Sequence, residues 1–212
     1  MFEKFRLFRK FRFKKWQTYS PQKRLEFAQN FENYFAKKQG RKKHSIIWSD
    51  KMGENSLGVC NYGQCQIQIN ANLITDGSKM FLLMSTILHE GRHAFQYAYV
   101  NKEYQKKSRI SKFSKAYKWK NAIGGYLSER DGNGDYADYA NQSIELDANM
   151  YAYKQLKKMK RKYSNIEEYN AEISRLEYWF ETVENLGREK YGMFYKFKIG
   201  RKNKKQFKKN SK

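Results

Sequence analysis

His89, Glu90 and His93 fall within one stretch, Leu82 to Gln96, whose apolar residues recur at helical spacing. Residues four apart on an α-helix lie on one face, about one turn apart, so His89 and His93 can aim two imidazole nitrogens at one point. That point suits a divalent metal, zinc above all. Glu90, next to the first histidine, can reach a water held there without being a ligand itself, the arrangement that metal-assisted hydrolysis requires. The chain has three histidines and two of them are in this pattern. Ile87 and Leu88 before it, and Ala94 and Phe95 after it, are what a helix packed on a core carries.

Two histidines hold zinc weakly; a hydrolytic site has three protein ligands and an open position. The remaining histidine, His44, has no ligand pattern around it and reads as an exposed loop residue. An extended motif with a third histidine six residues after the second is absent. Gln96 stands where that pattern has Gly, and Tyr99 where it has His. A carboxylate is therefore expected to complete the site, and Asp135, Asp138, Glu145 and Asp147 compete for the role.

With these residues in view, the chain resembles the zincin metallopeptidases, and within them the gluzincin-like branch, which joins His-Glu-x-x-His on one helix to a Glu on a later helix. Glu145-Leu146-Asp147-Ala148-Asn149 is similar to that branch's Glu-x-x-Ala-Asn form. The resemblance implies one zinc ion per chain held by His89, His93 and Glu145, with Glu90 as the catalytic general base. Ala148 is small enough to let two helices approach, and Asn149 can orient a histidine from behind. Many members have Asp at that place. Asp147 lies two residues from Glu145, so the two point to different helix faces. Residues 86–96 also look like the zincin-type domains of bacterial toxins and mobile elements. The resemblance covers residues 80–100 and 141–153 and extends to the strands between 45 and 70. It covers neither tail.

The elements that must position these residues are legible in outline. Ser20-Pro21 opens a helix with Leu25, Ala28, Phe31 and Phe35 on its stripe, and Gly40 stops it. Ser45–Trp48, Leu57–Cys60 and Cys65–Ile69 read as short strands, the last two joined by a hairpin turn at Asn61–Gln64. The His-bearing helix is predicted over about Ser78–Tyr99. Residues 101–140, broken by Gly124-Gly125 and Asp131–Gly134, read as helical pieces and a loop flanking the cleft. A long helix is predicted from about Asn141 to Tyr163, and a last amphipathic one over Ile166–Leu186. The fold class is thus α+β and zincin-like: a small mixed sheet, an active-site helix and a mainly helical C-terminal half. A strand edge beside the site would let a peptide add as a further strand.

The 212 residues suffice for one core. Net charge is +23, of which residues 1–16 contribute +6 and residues 196–212 contribute +9, leaving +8 for the interior. The expected organisation is a basic aromatic arm (1–19), a zincin-like metallopeptidase domain (20–195) and a basic tail (196–212). The arm either contacts a membrane interface or nucleic acid, or lays its Phe side chains on the domain. Basic ends favour polyanions: nucleic acid, an anionic membrane surface or an acidic partner protein. Cys60 and Cys65 are too few for a disulfide framework and read as free thiols on a hairpin. The N-terminus lacks the apolar stretch of a signal peptide and no run reaches membrane-spanning length, so a cytoplasmic location is expected. The function expected is zinc-dependent peptide-bond hydrolysis. The alternatives are a polyanion-binding protein on a zincin-like scaffold, or a toxin-like effector peptidase.

Overall fold

A computed structural model describes residues 12–53, 56–107, 109–127 and 135–192. The chain begins with a short helix α1 (Phe13–Gln17) and then α2 (Pro21–Gln39). The boundaries of α2 follow from its end residues. Ser20 caps it by accepting the Lys23 N–H, Pro21 takes the first helical position, and Gly40 ends it at φ 65°, in the left-handed region. Three strands follow: β1 (Ser45–Ser49), β2 (Gly58–Asn61) and β3 (Gln66–Asn70). They form one sheet in the order β1-β3-β2, with β1 parallel and β2 antiparallel to β3. At the hairpin turn, Asn61 Oδ1 accepts the Gln64 N–H at 3.1 Å.

Alternation sets the faces of the sheet. Ile46, Ile67 and Ile69 are buried in one core with Phe31, Leu83 and Ile87. Ile47 and Val59, each aligned with Gln68 of the central strand, face outward and are exposed. After α3 (Asn72–Thr75) and a 3-10 turn, α4 (Met80–Lys106) runs through the core. Arg24 ties this entry together, donating to the carbonyls of Trp16, Gln17, Ile74 and Thr75. The helix is longer than its apolar pattern predicts. Val100 near its C-terminal end buries against Trp119 of α5 (Lys115–Gly124) and Ile144, which supports the polar last turns.

The C-terminal half comprises α6 (Tyr136–Asn141), α7 (Ser143–Lys157), α8 (Lys160–Tyr163) and α9 (Glu167–Tyr191). The single helix predicted from about Asn141 to Tyr163 is interrupted at Lys158–Met159. Lys157, Lys158, Lys160, Arg161 and Lys162 crowd like charges onto successive turns, and the break lets Met159 and Tyr163 bury in the core.

Of the segment expected to form an arm, Phe13 and Trp16 are core residues, with Phe13 stacked on Phe81. This agrees with Phe side chains laid on the domain. Residues 1–11 and the basic tail 196–212 lie outside the described residues. No described helix is long and apolar enough to cross a membrane. Cys60 and Cys65 are free, as expected.

Candidate metal centre

The His-bearing helix is held in place by close backbone approach on two faces. A Cβ on Gly91 would lie 2.5 Å from Arg41 Nη2 and 3.2 Å from Glu32 Oε2. Those two side chains form a fully buried bidentate pair, at 2.6 and 2.7 Å. A Cβ on Gly58 would lie 2.7 Å from Thr86 Cγ2 and 3.1 Å from Glu90 Cγ. Strand β2 therefore lies directly against the helix at Glu90, and both glycines are there for contact distance.

The structure brings His89, His93 and Glu145 together. One ligand atom from each lies within 4.8 Å of the others, a group able to hold a metal ion. The two Nε2 atoms are 3.0 Å apart, and each is 3.3 Å from one oxygen of Glu145. Glu145 sits in the first turn of α7, which packs along α4, and Ala148 at the crossing is completely buried. Each imidazole turns its other nitrogen to an amide: His89 Nδ1 lies 3.1 Å from Asn149 Oδ1, and His93 Nδ1 lies 2.9 Å from Gln96 Oε1. An amide oxygen only accepts, so each Nδ1 carries the proton. In the neutral rings the Nε2 lone pairs then face one another and the carboxylate. Such a donor set fits a cation, and two imidazoles with one carboxylate are ligands that zinc accepts.

The electrostatics point the same way. Burial works against ionisation of Glu145, yet the His93 charge and hydrogen bonds to both imidazoles hold it well below the usual carboxylate range. Burial also works against a charge on His93, but Glu145 raises it to about 9. An ionised carboxylate facing two imidazole Nε2 atoms is an environment compatible with a cation. Glu90, 8% exposed, does not face the same balance. Burial raises it above the ordinary range, against the pull of His89 and His93, and Cys60 gives it a backbone hydrogen bond.

The competing carboxylates are engaged elsewhere. Asp147 accepts from Arg92 Nε at 2.6 Å and from Gln96 Nε2 at 3.1 Å. Asp135 and Asp138 pair with Lys190, and Asp138 also with Tyr191. His44 is no exposed loop residue: it is 2% exposed. Its N–H donates to Glu32 Oε1, and its ring meets the Lys42 carbonyl at 3.2 Å. The buried Glu32–Arg41 pair, invisible as a pair in the sequence, draws it inward.

Three further residues at the site have no sequence motif. Tyr126 and Tyr139 each donate a hydroxyl to one oxygen of Glu145 at 3.1 Å, and Gln96 is fully buried behind His93. Gln96 follows His93 by three residues on one helix face, a spacing that could have identified it. The tyrosines reach the site only through the tertiary fold.

Comparison with known families bears on this geometry. Residues 25–109 match the SprT-like family. That family belongs to the zincin-like metallopeptidase superfamily, so over these residues the chain is similar to metal-dependent peptidase domains. The SprT-like match takes in most of α2, the whole sheet and α4 with His89, Glu90 and His93, and stops short of Glu145. No curated protein and no solved structure matches the chain.

Proposed function

We propose that this protein is a zinc-dependent metallopeptidase in which His89, His93 and Glu145 hold the ion and Glu90 is the general base. The observation that carries the reading is the convergence of both Nε2 atoms and the Glu145 carboxylate, with each Nδ1 committed to an amide oxygen. The SprT-like match over the His-bearing helix supports it. When bound, zinc supplies the Lewis acidity that acidifies a water and polarises a scissile carbonyl. Glu90, buried beside the ligands, takes the proton of the attacking water and delivers it to the leaving amine. The raised affinity of its carboxylate for a proton suits that exchange. Tyr126 and Tyr139 each donate a hydroxyl to one oxygen of Glu145 and so fix the orientation of its carboxylate. Strand β2 is a sheet edge lying against the helix at Glu90, so an extended peptide substrate can pair there.

The test is metal content together with turnover of a peptide library. Wild type is expected to hold one zinc per chain, lost in His93→Ala and in Glu145→Ala. Glu90→Gln should keep the zinc and lose peptidase activity by at least about a hundredfold. Full activity in Glu90→Gln, or a zinc-free wild type after remetallation, would overturn the reading.

A further inference from the structure

His93 is backed by a chain of polar side chains that runs away from the cleft. Its Nδ1 donates to Gln96 Oε1 at 2.9 Å. The orientation of the Gln96 amide follows from its other contacts, since Nε2 donates to the Ile144 carbonyl at 2.9 Å and to Asp147 Oδ2 at 3.1 Å. Both of those partners accept only, so the NH2 group must face them and the oxygen must face His93. Asp147 is fixed in turn by Arg92, whose Nε and Nη2 lie 2.6 and 3.3 Å from its two oxygens. The Arg92 guanidinium itself lies over the rings of Phe95 and Tyr151, 4.4 and 4.9 Å from their centroids. Every link is internal to α4 and α7, the two helices that carry the three metal-binding candidates. His89 has no such backing, since among the described residues the Asn149 side chain makes no other hydrogen bond.

We infer that Gln96 is a positioning residue for His93, and that Asp147 and Arg92 act through it by fixing which end of its amide faces the imidazole. The inference rests on the zinc-binding reading above. Gln96 holds His93 in the tautomer whose Nε2 lone pair faces the site, and Asp147 prevents the amide from turning its NH2 toward Nδ1. Asp147 contributes to the site without touching it.

The experiment measures zinc affinity, by competition with a chromophoric chelator, for wild type, Gln96→Met, Asp147→Leu and the double variant. The visible spectra of the cobalt-loaded proteins are recorded alongside. Met matches the length of Gln and offers neither the donor nor the acceptor. Gln96→Met is expected to bind zinc about 10–100-fold more weakly and to shift the cobalt bands, while the melting temperature of the metal-free protein stays within a few degrees. Asp147→Leu should weaken zinc in the wild-type background and add little in the Gln96→Met background, because its effect passes through Gln96. Wild-type affinity and an unshifted cobalt spectrum in Gln96→Met would overturn the inference, as would fully additive losses in the double variant. A wild type that binds no zinc overturns the underlying reading as well, and so separates the two failures. Should the substitutions unfold the chain, the zinc-loaded unmutated protein still decides. The His93 Nδ1 proton should be a slowly exchanging downfield resonance with a cross-peak to the Gln96 side chain, and its loss to solvent exchange counts against the role.

Discussion

The acceptor behind His89 is an amide where the resemblance favours a carboxylate, and that single atom has a measurable consequence. Asn149 Oδ1 accepts a hydrogen bond from His89 Nδ1 at 3.1 Å, a neutral bond that leaves the imidazole less basic than a carboxylate partner would. Asn149→Asp keeps the geometry and supplies charge, so zinc should bind up to about tenfold more tightly, read by chelator competition. Unchanged or weaker binding would show that Asn149 does not tune this ligand. A second residue, His44, makes a pH prediction. Burial lowers its affinity for a proton, and Arg41 and the Lys42 ammonium add to the effect against the pull of Glu32 and the Lys42 carbonyl. The folded protein therefore takes up fewer protons here than the unfolded chain. The stability this gives is present above the ordinary histidine value of 6.5 and lost as pH falls below it. His44→Asn can keep the bond to the Lys42 carbonyl but cannot titrate. Urea unfolding with chelator present should show a smaller stability loss from pH 7 to 5 in that variant than in wild type; equal losses would remove His44 from the account.

At the scale of elements, the glycine inside the motif is a packing residue. Gly91 stands between Glu90 and Arg92, and its missing Cβ leaves space for the Arg41–Glu32 pair that anchors the loop between α2 and β1. Gly91→Ala gains about 1 kcal/mol in helix propensity but pushes a methyl into a buried ion pair. The variant should lose roughly 2–4 kcal/mol by chemical denaturation. Gly124→Ala is the control, because a Cβ there meets nothing within 4 Å, and its effect should stay below about 1 kcal/mol. Similar values for the two would refute the packing argument. The same contact explains which parts of the molecule were legible. Helix α2, the strand alternation and the His-Glu-x-x-His face are local patterns, written in adjacent residues. Glu145 lies far along the chain, and only resemblance to a known motif sets it apart from Asp135, Asp138 and Asp147. Arg24, Glu32, Arg41 and His44 are polar, and their burial depends on partners that no periodicity announces. In the last turns of α4, Tyr99, Val100 and Tyr104 pack with Trp119 and Ile144, partners that no local pattern announces.

At the scale of the whole molecule, residues 1–11 and 196–212 carry +3 and +9 of the net +23, and none of the candidate metal ligands lies in them. Phe13 and Trp16 belong to the core, so removal of the N-terminal charge must stop before them to leave the fold intact. A chain lacking 1–11 and 196–212 should keep the zinc content and melting behaviour of the full protein. If the tails deliver the peptidase to a polyanion, the full chain should bind duplex DNA with an affinity that falls steeply between about 50 and 200 mM salt. The shortened chain should bind far more weakly and with a shallower salt dependence, because fewer counterions are released per contact. DNA binding retained at full strength after truncation would place the contact on the folded unit instead. Peptidase activity on a short uncharged peptide should be equal in the two chains, since the described hydrogen-bond partners of His89, His93 and Glu145 lie within residues 89–149.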